Sequence, residues 1–222
     1  MVLMMKRIKK KMKKRGFLHR GIHLAVISLL LFSNSMAQEL LVPLQHNNTI
    51  DHLSKQKPAG IIKQNHKSLS LPFIDDFSSY YGYPSPQNWA DSDVFINDEY
   101  PYRQPSINVA TFDAIDQLGW VYPNASSFAF KADTLTSVAI DLDPYSSSDS
   151  IFMSFSFQPG GIGNSPERDD SLVLQFWSKS EQEWFTIWAS EGMTLDTFKN
   201  RYSDWFGYVI LPVDSTRYFS DE

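Results

Sequence analysis

Among its 222 residues the chain has no cysteine. Disulfides, thiolate metal sites, a Cys nucleophile and lipid attachment at an N-terminal Cys are all excluded at once. Secreted animal domains of comparable size are usually disulfide-stapled, so this absence fits a bacterial export route better. Histidine is nearly as scarce. All five (His19, His23, His46, His52 and His66) precede residue 67. A Ser-His-Asp arrangement therefore cannot be assembled in the remainder of the chain. His46, His52 and His66 lack the spacing of zinc ligands and read as solvated side chains.

Positive charge is missing from most of the chain. Residues 1–37 hold nine of the 20 Lys and Arg and none of the 25 Asp and Glu. The rest carries eleven basic residues against 25 acidic ones, a net charge of −14. Such a surface repels nucleic acid and anionic lipid, which removes both as expected partners. Long apolar runs are absent too. Leu24–Phe32 would cover about 14 Å as a helix, against a bilayer core of about 30 Å.

That short run is better placed in a signal peptide. Lys6–Arg20 is strongly basic, Leu24–Phe32 is apolar, and Ser35 and Ala37 stand at the −3 and −1 positions of a cleavage site. The three-part pattern predicts a secretory signal over 1–37, exported by the Sec route, and contact with the membrane only before cleavage. Residues 38–69 are polar, contain Pro43, Pro58 and Gly60, and follow no sustained period. They read as a flexible extension, mostly loop. The sequons at Asn47 and Asn124 read as chance matches.

What the chain does have is aromatic residues, 14% of the total, and short apolar runs. Ile151–Phe157, Ser171–Trp177 and Trp184–Trp188 read as three consecutive antiparallel strands. Further strands are expected at Leu71–Phe77, Asp93–Asn97, Ser106–Phe112, Gln117–Tyr122, Leu135–Leu142 and Trp205–Leu211. A weak helical pattern, Met193, Leu195 and Phe198, lies between Ser190 and Ser203. Many short strands with Pro and Gly turns indicate an all-β fold, an antiparallel β-sandwich of jelly-roll type over 70–222. The chain stops at Glu222 just as another strand pattern begins, so the domain is expected to be incomplete, part of a longer reading frame.

Three segments taken together carry a resemblance: Leu71–Phe77; Val94–Asn97 with Ser106–Asp113; and Ser154–Gly161. They resemble the N-terminal jelly-roll region of large surface or secreted proteins from bacteria that use the type IX secretion route. That fold is similar in turn to the MAM and concanavalin-like jelly rolls. The resemblance implies an extracellular or cell-surface β-module; it transfers no ligand.

Candidate sites follow from residue type. Asp75 and Asp76 end an apolar run and could bind calcium with backbone carbonyls, the only cofactor the residues suggest. Calcium needs six to eight oxygens, and adjacent strand residues point to opposite faces, so turn capping competes with that reading. Asp91 with Asp93, and Asp141 with Asp143, share a face if extended and read equally well as solvated loop charges. Gly160-Gly161-Ile162-Gly163 lacks the Lys-Ser/Thr of a phosphate loop and is expected to be a flexible connection. Trp177, Trp184, Trp188 and Trp205 could form a sugar-stacking platform if they lie together on the surface, whereas a strand turns half of its side chains inward. Glycosidase chemistry needs two carboxylates facing across a cleft, and no pairing can be nominated.

The expectation is thus an exported, non-catalytic β-sandwich module, extracellular or at the cell surface and alternatively periplasmic. Its expected partners are surface glycans or other surface proteins. Two other classes stay open: an accessory N-terminal domain of a secreted hydrolase, and a component of the secretion or gliding machinery.

Overall fold

The computed structural model describes residues 45–56, 67–123, 125 and 130–219. Segment 1–37, expected to be a signal peptide, His66 and Asn124 lie outside the described residues. Among the described residues the chain is β-rich, with small antiparallel sheets and few helices. In order they are α1 (Asn48–Gln56), β1 (Phe95–Asn97), β2 (Val109–Thr111), β3 (Ile151–Phe157), β4 (Ser171–Ser178), β5 (Glu183–Glu191), α2 (Leu195–Tyr202) and β6 (Gly207–Val213), then a 3₁₀ turn at Thr216–Tyr218. No described helix is long and apolar enough to cross a membrane.

The strands form three two-stranded ribbons: β1–β2, β3–β6 and β4–β5. The expected run of three neighbouring strands is corrected here. β4 and β5 do form a hairpin, but β3 pairs with β6, Phe157 facing Gly207 and Ile151 facing Val213. The reason lies in the connections. Four residues, Lys179–Gln182, join β4 to β5, and Gln182 takes the positive φ of 54° that closes a tight turn. The β3–β4 connection instead travels to another segment: Ile162 N–H donates to Tyr100 O at 2.8 Å. Gly161, at φ 53°, is the contact point, because a Cβ there would run into the Tyr100 carbonyl. The glycine loop is therefore docked rather than a loose connection.

Ribbons β3–β6 and β4–β5 share one apolar cluster. Phe157, Met193, Phe198 and Val209 are buried in it, and Phe155, Leu172, Trp188, Tyr202 and Leu211 pack around them. β3 shows why: its burial alternates, with Met153, Phe155 and Phe157 turned in and Phe152, Ser154 and Ser156 turned out. α2 is held at its start by Thr194, whose hydroxyl accepts from Thr197 N–H at 3.2 Å. Its one buried side chain, Phe198, reaches the cluster over Gly207, where a Cβ would sit 2.9 Å from the rings of both Phe157 and Phe198.

β1 is buried along its whole length. Asn97, fully buried, donates to Thr111 Oγ1 at 2.8 Å and Phe95 O at 3.0 Å, and accepts from the Glu99 and Tyr100 amides. Gln158, just past β3, binds the Tyr102 backbone through both its amide atoms and donates to Trp205 O. These polar bonds tie the β1 region to the larger ribbons.

Elsewhere the expected strands are less regular. Leu71–Phe77 turns Leu71, Phe73, Asp75 and Phe77 inward, but it bends at Leu71, at Pro72 and at Phe77, whose φ is 59°, and joins no ladder among the described residues. The 117–122 and 135–142 segments make only isolated bridges, such as Ile115 with Val121 and Trp89 with Ser137. Within the segment expected to be loop, Asn48–Gln56 is a helix. Asn47 Oδ1 accepts from the Thr49 and Ile50 amides at 3.1 Å, which caps its start. Ile50 is 4% exposed, and Leu53 packs where Gly82 has no side chain. Polarity masked an amphipathic face of two apolar residues.

Candidate functional site

The outer face of the β4–β5 hairpin carries the most distinctive exposed chemistry. Trp177 and Trp184 are cross-strand partners, 42% and 45% exposed, with ring centroids 5.3 Å apart and planes tilted by 58°. Beside them Gln175 Nε2 donates to Thr186 Oγ1 at 3.2 Å. Val173 and Ala189 continue the row, both exposed. The hairpin end under the Trp pair is fastened by Ser178, whose buried hydroxyl accepts from Glu181 N–H and donates to Arg217 O, both at 3.2 Å.

Only two of the four candidate tryptophans meet. Strand parity would put Trp184, Thr186 and Trp188 on one face. A bulge changes this: Leu174 pairs with Trp188, but Gln175 pairs with Thr186, so one residue of β5 is extra. Trp188 is thereby turned into the core, edge-on to Phe155 and Phe157 at 5.1 and 4.8 Å. Trp205 lies elsewhere, between Tyr102 at 4.6 Å and the Lys199 ammonium at 4.2 Å.

Asp75 is a structural hub. Its carboxylate accepts from the Phe77 amide at 2.9 Å, Asn88 Nδ2 at 2.9 Å, Trp89 Nε1 at 2.8 Å and the Tyr80 hydroxyl. Burial raises its pKa, but the donors, Tyr80 foremost, outweigh this and leave it below the usual carboxylate range. Asp76 is exposed and caps Ser78 through both hydroxyl and amide, which lowers its pKa. The two carboxylates thus serve separate turns. Asp91 accepts from Thr136 N–H, Asp93 from the Thr134 hydroxyl, and Asp141 from the Asp143 amide. Among the described residues no three His, Asp or Glu are grouped to hold a metal.

Neither a family model, nor a curated protein, nor a solved structure matches this chain. What the protein does must therefore be argued from its own geometry.

A second cluster had no signature in the sequence. Asp113 and Asp133 are twenty positions apart and meet beside the start of α1. Asp133 accepts from Ala114 N–H at 2.7 Å, and Asp113 from Ile115 N–H at 3.1 Å. Burial pushes Asp113 up to about 6. Burial, with the Asp113 charge adding to it, pushes Asp133 up to about 7. Each keeps one carboxyl oxygen buried and without a hydrogen-bond partner among the described residues. No spacing rule relates two such residues on separate loops.

Proposed function

We propose that the protein is an exported, non-catalytic module of jelly-roll sandwich type that binds surface glycans through the outer face of β4–β5. One observation carries the reading: Trp177 and Trp184 stand exposed and opposite one another beside a Gln175–Thr186 amide and hydroxyl pair. Aromatic faces accept the apolar C–H face of a sugar ring, while amides and hydroxyls bond its edge. A pair of large aromatics left in water is a cost that a binding surface explains. The signal pattern read over 1–37, the acidic balance after it, and the resemblance to type IX surface proteins support a location outside the cell.

The test is a glycan array on the protein lacking residues 1–37, followed by calorimetry on any sugar that binds. Trp177→Ala and Trp184→Ala are each expected to weaken binding about ten-fold, or about 1.4 kcal/mol, with unfolding midpoints close to wild type. An array without hits, or hits that both variants bind equally well, would remove this face as a sugar site.

A further inference from the structure

The junction between α1 and the Asp113–Trp120 turn contains an unusual set of polar atoms. His46 Nδ1, Asn47 Nδ2, Asp113 Oδ2, Tyr122 Oη and Asp133 Oδ1 are buried without partners among the described residues. In a folded interior such atoms normally find partners, so five in one neighbourhood call for an explanation. The Asn47 amide sits beside Asp113 and the Tyr122 hydroxyl beside Asp133, each near enough to lower that carboxyl's pKa.

The same junction fastens α1 to the body. Asn47 N–H donates to Gly119 O at 2.8 Å, and His46 stacks on Trp120 with ring centroids 4.0 Å apart. The Tyr83 hydroxyl donates to Gln117 O at 2.9 Å and lies 3.4 Å from Ile50 O. Gly119, at φ 88°, allows the approach, since a Cβ there would lie 2.5 Å from Asn47 O. Ile50 of α1 lines a narrow cleft together with Asp93, Phe95, Asp113 and Ile115.

We infer that the packing of α1 against this turn is a proton-operated latch, closed while Asp113 and Asp133 are neutral and open once both are ionised. A neutral carboxyl can donate as well as accept and carries no charge into the part-buried junction. Two carboxylates there would repel each other, and each has one buried oxygen without a donor among the described residues. Hydration would relieve both costs, and α1 is the element whose departure admits water. The surrounding charges do not offset the pair. Asp51 from α1, Asp93 from before β1 and Asp116 from the turn are acidic, and Tyr100 and Tyr122 are held protonated, Tyr122 by burial and then by Asp133. The basic side chains of α1 and its start, His46 and Lys55, both face Asp51 rather than the pair, His46 Nε2 at 3.7 Å and Lys55 Nζ at 2.6 Å.

The sign follows from the raised values. Stability from neutral Asp113 and Asp133 is complete below the ordinary carboxylate value of 3.8 and is lost as pH rises through about 6 and about 7. Hydrogen exchange on the whole protein reads this directly. After correction for intrinsic exchange, protection of the α1 amides should fall about ten-fold from Asp113 alone between about pH 5 and about pH 8. The β3 and β6 amides should hold steady. Asp113→Asn combined with Asp133→Asn should keep α1 protected at both pH values. His46→Gln should retain the pH dependence, which separates the carboxyls from histidine titration. Equal α1 protection in the wild type across this range would overturn the latch, whether or not the Asn variants fold. A pH dependence that survives in the double variant, or disappears in His46→Gln, would also overturn it.

Discussion

Phe198→Ala should destabilise the protein by about 3–5 kcal/mol, the range for truncating a fully buried aromatic. Its relative exposure is 0%, and its ring is 5.0 Å from Phe157 edge-on and 4.5 Å from Tyr202 stacked. The other α2 side chain at the cluster is the part-buried Tyr202, which itself stacks on Phe198, so the helix loses its main attachment with the ring. Collapse cannot refill the space easily. Gly207 has no side chain to move in, and Phe157 is held by β3 pairing and by Trp188. A domain of ordinary stability has roughly 5–15 kcal/mol in total, so much of the folded population is at stake. In urea the midpoint should fall sharply with the slope unchanged. Phe152→Ala supplies the contrast. Phe152 is 60% exposed on the outer face of β3, and its loss should stay within about 0.5 kcal/mol. Equal midpoints for the two variants would mean that β3 does not present Phe155 and Phe157 inward as described.

This contrast also shows what could be read without coordinates. Alternation in Ile151–Phe157 and the apolar run at Ser171–Trp177 announced strands, because a half-buried strand has a period of two. Phe198 was legible only as one of three apolar positions, with Met193 and Leu195, in a weak helical pattern that read as a surface turn, and its full burial was not. Pairing was another matter. Apolar patterns say which residues face a core but not which strand lies alongside, and β3 chose β6 across a long interval of chain. The inward turn of Trp188 depends on one extra residue in β5, and no residue type marks that bulge. α1 was hidden because its anchor is small: Asn47 as a cap, Ile50 and Leu53 as the buried side. Asp113 and Asp133 were hidden for a different reason. Their raised pKa values come from burial between loops, and burial of loops is decided by tertiary packing alone.

Asp75→Ala is expected to cost about 2–3 kcal/mol, the penalty for stranding donors that a charged acceptor had satisfied. Four donors lose their partner together: the Phe77 amide, the Tyr80 hydroxyl, Asn88 Nδ2 and Trp89 Nε1. The site is half buried, so water can reach some of them and the loss stays below that of a sealed ion pair. Its pH signature is opposite to that of Asp113 and Asp133. A lowered pKa means that the Asp75 contribution is present above the ordinary 3.8 and disappears as pH falls through the folded value. Wild type should therefore lose stability on the acid side more steeply than Asp75→Ala. Calcium provides the deciding comparison. If the carboxylate is occupied by these donors, the melting temperature of the wild type should be the same in millimolar calcium and in chelator. A calcium-dependent rise in melting temperature that vanishes in Asp75→Ala would instead make this carboxylate a cation ligand, and the four donors would have to give way when the ion binds.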